Sequence, residues 1–311
     1  MSKYMRAAVY TKYGTADVIT IKQVTKPTPK PNQVLVKIYA SALNSGDVIV
    51  RSLKGNFFMK LLMRCIFGLT TPRKPVLGTT YSGVIEQVGE HVKKFKTGDE
   101  VFGLRGFKFG AHAEFLVADE NSIITSKPQN RSHEEAAASV FGAQTAIYFF
   151  DKIKTKLSPK SRVLIYGATG SVGTAAMQLA KFYRTHVTAV CSDLGGELVT
   201  KLGADEVLYY NKQNIINSTK KYDVIFDAVG KKNKQYFKKM LNKNGVFLTV
   251  GGLEFASETL EQIEFLRSLL QLGKYNATID KVFDLTQIAE AHRYVDTGRK
   301  KGNVVIKINR D

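Results

Sequence analysis

The chain has only two cysteines, Cys65 and Cys191, in 311 residues. That is too few for a disulfide framework, so a packed core must hold the fold, and a reducing cytoplasm is the expected location. Histidine is also scarce: His91, His112, His133, His186 and His292 fall at no metal-ligand spacing, and no metal is expected. Long apolar runs are missing as well. The most apolar-leaning stretch, residues 57–69, is interrupted by Lys60 and Arg64 and is shorter than the ~20 residues a membrane span requires. The opening residues mix charges with isolated apolar side chains, which is not the pattern of a secretory leader. Acidic residues are in deficit, 27 Asp and Glu against 46 Lys and Arg, for a formal net charge of +19. Such a charge attracts anions of several kinds. Because the lysines are spread along the chain and form no basic arm, nucleic acid is not the expected partner.

Hydrophobic residues make up 44% and charged residues 23% of the sequence, an ordinary globular composition. The length implies two domains, since single cores stop growing at roughly 250 residues. From Met5 to Val117 short β-type runs alternate with Gly, Pro and Asp turns: Ala7–Tyr10, Gln33–Ala42, Gly83–Val88, Glu100–Gly103 and Ala113–Val117. Beyond Pro128 the pattern becomes alternating strand and amphipathic helix, beginning with a helix over Glu134–Phe150 and continuing through strands at Val163–Tyr166, Val187–Val190, Glu206–Tyr209, Val224–Ala228 and Val246–Gly251. This predicts an α/β chain: a β-rich domain, a boundary near residues 124–130, and a doubly wound parallel sheet of the Rossmann kind. The last strand, Asn303–Ile308, is expected to return to the β-rich domain.

The strand Val163–Tyr166 runs directly into Gly167-Ala-Thr169-Gly170-Ser171-Val172-Gly173, followed by Ala175, Ala176, Leu179 and Ala180 at helical spacing. A strand, glycine turn and helix in that order let main-chain N–H groups approach a pyrophosphate without Cβ obstruction, and the helix N-terminus adds partial positive charge. A dinucleotide site is expected there. A unit that prefers NAD ends its second strand on an acidic residue, whereas this chain places Cys191 there, followed by Ser192, which can donate to a 2′-phosphate. NADPH is therefore expected over NADH. Asp193 is read as a helix N-cap, although it also lies within reach of a ribose, and Tyr210, with Lys201 or Lys212, as the adenosine end of the site.

Several ordered segments together resemble the medium-chain dehydrogenase/reductase superfamily, in its zinc-free quinone oxidoreductase branch, over essentially the whole chain: Val34–Asp47, Leu77–Val84, Gly98–Gly103, Ala136–Ala146, the glycine turn, Tyr222–Gly230 and Ala291–Gly302. The resemblance implies a GroES-like catalytic domain over 1–127, completed by 279–311, around a Rossmann domain over 128–278. It also implies a homodimer. Zinc-dependent relatives carry a cysteine in the segment matching Asn44–Asp47 and Gly-His-Glu where this chain has Gly78-Thr79-Thr80, so the ligands of those enzymes are missing. By the same resemblance Asn44 lies near the nicotinamide, polarising the carbonyl or orienting the ring, Tyr81 faces the cleft as proton donor, a role that water can also fill, and Thr145 and Gly251 contact the cofactor. Asn44 has a second reading as a turn residue, and Asp47 as a structural cap.

The implied activity is zinc-independent hydride transfer from NADPH to quinones or α,β-unsaturated carbonyl compounds, with a small hydrophobic substrate as partner. Alternatives are an alcohol dehydrogenase-like reduction of aldehydes, or an NADPH-binding protein that holds RNA or a protein. Finally, Phe58, Leu61, Leu62, Cys65 and Ile66 recur at helical spacing within 55–68, predicting an amphipathic helix that packs on the barrel, covers the substrate or rests on a membrane.

Overall fold

The structure, a computed structural model, describes residues 3–251, 254 and 256–309. It divides into two compact units, Met1–Phe141 with Ile279–Asp311, and Gly142–Thr278.

In the first unit, β1 (Tyr4–Tyr10) and β2 (Ile19–Thr25) form an antiparallel pair. They are followed by β3 (Gln33–Leu43), α1 (Ser45–Ser52), α2 (Phe57–Phe67), β4 (Thr80–Val88), β5 (Glu100–Leu104), β6 (Phe115–Asp119) and β7 (Ile124–Ser126). The helix α3 (His133–Asp151) contributes its first half to this unit and its second half to the other. The boundary is thus inside a helix, later than the change of composition near Pro128, because an uninterrupted helical repeat offers no turn residue to mark it. After the second unit the chain resumes with β13 (Ile279–Asp284), α8 (Ile288–Asp296) and β14 (Asn303–Lys307), and β14 pairs antiparallel with β3.

The main sheet runs β13-β14-β3-β4-β5-β7, with β6 also on β3. Strand β3 is central, and Val34, Val36, Ile38 and Leu43 join Ile85, Val101, Leu116 and Ile306 in one core. Gly83 lets β4 lie against β3: a Cβ there would sit 2.0 Å from the Lys37 carbonyl oxygen.

The predicted amphipathic helix forms as α2, but not with the expected face inward. Met63 is buried, while Phe58, Leu61, Leu62 and Ile66 are 72, 49, 44 and 52% exposed and Cys65 is also exposed. Packing against the barrel is therefore not what this stripe does. Periodicity identified the helix but could not say which neighbour its apolar side meets.

The second unit holds the rest of α3, then β8 (Arg162–Tyr166), α4 (Ser171–Phe182), β9 (His186–Cys191), α5 (Gly196–Lys201), β10 (Glu206–Tyr209), β11 (Tyr222–Asp227), α6 (Lys234–Phe237), β12 (Leu241–Thr249) and α7 (Leu260–Gln271). Its five strands are all parallel in the order β10-β9-β8-β11-β12. The middle strands are continuous apolar runs such as Val163-Leu164-Ile165, fully buried, as strands covered on both faces must be. The order reverses at β8, so the carboxyl ends of β8, β9 and β11 frame the crevice where doubly wound sheets take ligands.

Candidate functional site

The glycine turn lies at that crevice. Gly167 follows β8 with φ +77°, a left-handed conformation that disfavours a side chain, and a Cβ on it would come within 2.1 Å of Val229 Cγ2. Gly173, inside α4, passes so close to the turn that a Cβ would meet the Gly167 carbonyl oxygen at 2.1 Å and Ala168 Cα at 2.8 Å. Gly170 differs from both. It is the N-cap of α4, in extended conformation, and the nearest atom to a Cβ built there is 3.7 Å away. Two glycines therefore serve packing, and the third faces open space. No side chain caps α4, so its first turn presents main-chain N–H groups beside that space, the arrangement that receives a phosphate.

The loops around the turn gather at the same sheet edge. Gly195 packs on Thr169, since a Cβ there would lie 2.5 Å from Thr169 Cγ2. This joins the turn to the loop after β9, which begins at Ser192. Cys191 is fully buried at the end of β9, so its thiol packs inward and the position exposes no acid. Asp193 does not cap the short helical turn that follows, because Ser192 occupies the N-cap. Instead its carboxylate accepts from Asn211 Nδ2 (2.9 Å) and the Leu194 N–H (2.8 Å) and pairs with Lys212 at 3.5 Å. These partners, Asn211 foremost, hold its pKa below the usual carboxylate value. Tyr210 is half exposed; its N–H donates to the Cys191 carbonyl, and its ring lies 6.4 Å from that of Tyr166. Lys201 instead pairs with Glu197 one helical turn away.

On the other side of β8, Val229 contacts Gly167, and Gly230 (φ +74°) meets Gly251 so closely that a Cβ on either would lie within 2.6 Å of the other's backbone. Asp227 builds this corner. Its buried carboxylate accepts the N–H groups of Val229, Gly230 and Lys232 at 2.9–3.0 Å. In α3, Gly142 abuts the Ser171 carbonyl, and the next turn carries Thr145, 8% exposed, beside Gln144. Gln144 is fully buried with neither Oε1 nor Nε2 bonded. Gln144, Asn211 and Asp227 were not singled out in the sequence. An Asp closing an apolar strand before Val-Gly was visible there, whereas an unpaired buried amide is a purely tertiary fact.

In the first unit Asn44 caps α1 in a reciprocal box. Its Oδ1 accepts the N–H of Gly46 (2.8 Å) and of Asp47 (3.3 Å), while its own N–H donates to Asp47 Oδ2 (3.0 Å). Nδ2 donates one hydrogen to Thr79 Oγ1 at 2.7 Å, leaving the second amide hydrogen outside this set. Asp47 has no exposed surface and also accepts the Gly78 N–H at 2.9 Å. Burial pushes its pKa up to about 7 against the pull of those two N–H groups. His112, 1% exposed, bonds Ser41 Oγ through Nδ1 at 2.7 Å, with Nε2 4.0 Å from Asp47. Burial holds His112 down to about 3, so this neighbour is a neutral imidazole and the contact is not an ion pair. Asn44 is therefore rigidly oriented by a cap, a threonine and a buried carboxyl.

Tyr81 is not the proton donor that the resemblance implies. It is fully buried in β4 within the core of the first unit, and its hydroxyl has no partner. Gly103 lies against it: a Cβ there would be 2.7 Å from the phenol oxygen. Burial raises the phenol pKa further. A side chain enclosed in this way does not deliver a proton to a substrate; strand alternation turned it inward, which a family match by segment did not reveal. Thr80 likewise buries its hydroxyl unbonded. Among the described residues, no three His, Cys, Asp or Glu side chains group closely enough to hold a metal ion.

Comparison with known proteins agrees with this geometry. Residues 30–129 match the alcohol dehydrogenase GroES-like domain, and residues 171–283 match the family described as zinc-binding dehydrogenase. The chain is 34% identical to 2-methylene-furan-3-one reductase of Solanum lycopersicum, over 97% of this chain and 79% of that protein. It is 32% identical to the chloroplastic NADPH-dependent alkenal/one oxidoreductase of Arabidopsis thaliana, over 98% and 80%. The solved quinone oxidoreductase of Coxiella burnetii superposes with a TM-score of 0.88 at 25% identity, covering 99% of this chain and all of that one. With a GroES-like unit around asparagine-capped α1 and a glycine turn at the edge of a parallel sheet, the chain belongs to the medium-chain dehydrogenase/reductase superfamily, in its quinone oxidoreductase-like branch of oxidoreductases.

Proposed function

We propose that this protein is an NADPH-dependent, zinc-independent reductase of quinones or of α,β-unsaturated carbonyl compounds. The observation that carries the proposal is the uncapped first turn of α4 with open space at Gly170, set between Gly167 and Gly173, which leave no room for a side chain. The pyrophosphate would lie in the space at Gly170, against the first-turn N–H groups of Val172 and Gly173 and beside Ser171, with Gly170 N–H already donating to Gly167 at 3.2 Å, with Thr169 and Ser192 toward the adenosine ribose and Thr145 and Gly251 toward the nicotinamide. When bound, the nicotinamide supplies the hydride, delivered to a quinone or to the β-carbon of an enone. Asn44 orients toward the substrate carbonyl through its second amide hydrogen, stabilising the oxygen as negative charge develops. With Tyr81 enclosed, water supplies the proton that completes the reduction.

Support for NADPH over NADH comes from charge. The second strand ends on buried Cys191 where an NAD-preferring unit has an acid, and Asp193 is already engaged by Asn211 and Lys212. Support for a reducing compartment such as the cytoplasm is that Cys65 and Cys191 are free thiols. No helix among the described residues is long and apolar enough to cross a membrane. Support for a homodimer is the family resemblance alone. The test is NADPH oxidation by quinones, enones and aldehydes, with and without a chelator. Turnover of a quinone or enone that survives chelation is expected; turnover of aldehydes alone, or activity abolished by the chelator, would refute the reading.

A further inference from the structure

We propose that α2 is a docking face for an anionic lipid surface. This goes beyond the proposed activity and does not depend on it. Phe57, Phe58, Leu61, Leu62 and Ile66 are all between 44 and 85% exposed on one short helix. Leu69 (60%) continues the apolar surface, as does Phe107 (67%), whose ring lies 5.8 Å from that of Phe67. Monomeric soluble proteins seldom leave such a cluster open to water, because burying large apolar side chains is favourable.

The charges around it choose the occupant. From Val48 to Ile85 the sequence contains no Asp or Glu, but it contains Arg51, Lys54, Lys60, Arg64, Arg73 and Lys74. Lys54, Lys60, Arg73, Lys74 and, beside Phe107, Lys108 are exposed, and none of these five is in an ion pair among the described residues. At its N-terminal end the helix borders an open cavity of about 590 Å³ whose walls include Lys54 and Lys60. Arg51 also lines it, 1% exposed; one amino group pairs with Asp296 while Nε and Nη1 are buried and unbonded. An apolar stripe rimmed by unpaired cations matches the boundary between acyl chains and lipid phosphates. A second copy fits poorly: in a two-fold interface this patch meets itself, placing cations against cations. An 11-residue helix, about 16 Å long, also offers little of the ~800 Å² per partner that a stable interface needs.

The experiment is flotation of the full chain with vesicles of phosphatidylcholine alone or mixed with phosphatidylglycerol, in low salt and in about 1 M NaCl, where the Debye length falls to ~3 Å. Wild type is expected to float with the anionic vesicles and to bind neutral ones, or anionic ones in high salt, roughly tenfold or more weakly. The exposed double change Phe58→Asp/Leu62→Asp should abolish flotation without altering the melting curve. If that variant does not fold, Lys54→Ala and Lys60→Ala serve instead, each weakening binding by roughly fivefold. Wild type remaining with the unbound fraction, equal binding to neutral vesicles, or unchanged flotation of the variants would overturn the proposal. So would a loss of dimer, or of turnover with apolar quinones, in the double variant of a wild type that does not float. Cofactor binding takes no part in the assay, so its outcome and that of the reductase proposal are separable.

Discussion

Alanine at Gly170 and alanine at Gly173 are expected to do opposite things, although the two residues are only one helical turn apart. At Gly173 the added methyl meets the Gly167 carbonyl oxygen at 2.1 Å and Ala168 at 2.8 Å, and these are backbone atoms that cannot swing away. Helix propensity favours the alanine by about 1 kcal/mol, but overpacking costs about 1–3 kcal/mol in cores that can relax, and this one must open the turn to do so. Net destabilisation of about 1–2 kcal/mol should appear as a lower melting temperature without any ligand present. At Gly170 the nearest atom is 3.7 Å away and φ is −75°, which alanine adopts readily. Loss of glycine as N-cap and gain from a stiffer unfolded chain nearly cancel, each being about 0.5–1 kcal/mol. Stability should therefore stay within about 1 kcal/mol of wild type. The effect of Gly170→Ala should fall on the ligand, because the methyl occupies space that a phosphate needs, and Gly170→Asp adds a like charge worth up to about 4 kcal/mol at 4 Å in a partly screened site. NADPH titration followed by nucleotide fluorescence should show a Kd raised about tenfold or more for Ala and binding abolished for Asp. Wild-type affinity in Gly170→Asp would refute the placement of the pyrophosphate, and an unchanged melt for Gly173→Ala would refute the packing argument.

Three further outcomes are expected. Asn44→Ala should lose the cap of α1, about 1–2 kcal/mol of stability, and lower kcat more than cofactor affinity. Asn44→Asp should keep the cap, with the Thr79 hydroxyl now donating, and still lose kcat; full quinone turnover in Asn44→Asp would remove the amide from the chemistry. For Asp47, raised to about 7 in the fold, the native state holds a proton between about pH 4 and 7 that the unfolded chain has released, so this group's contribution to stability falls as pH rises through that window. Asp47→Asn should accordingly show a pH–stability slope between about 4.5 and 6.5 more positive than wild type by up to ~1.4 kcal/mol per pH unit; parallel slopes in chemical denaturation would contradict the assignment. Lys212→Glu should reduce preference for NADPH over NADH, read as the ratio of kcat/KM values, since it reverses the charge beside Ser192 and Asp193; an unchanged ratio would place the 2′-phosphate elsewhere.

Much of the Rossmann-like unit is legible in the sequence. Backbone conformation in the turn is dictated locally, by glycines between a strand and an apolar-faced helix, and the parallel sheet follows from short apolar runs at regular intervals. Asn44 was legible as a turn residue and Asp47 as a cap, but Asn44 is itself the N-cap of α1, and that Thr79 and a protonatable Asp47 hold it depends on β4, α1 and the segment at Gly78 meeting in space. Tyr81 shows the opposite case: its segment was right and its direction wrong, since one residue of register along a strand reverses which face a side chain takes.

What the sequence determined alone was periodic or local: element types, the glycine turn between strand and helix, and the cationic stretch free of carboxylates. What the tertiary structure decided was which groups are enclosed and with whom, because burial depends on chain segments far apart in number. Hence the phenol of Tyr81 is sealed in, His112 is held neutral, and the apolar side of α2 is left facing outward.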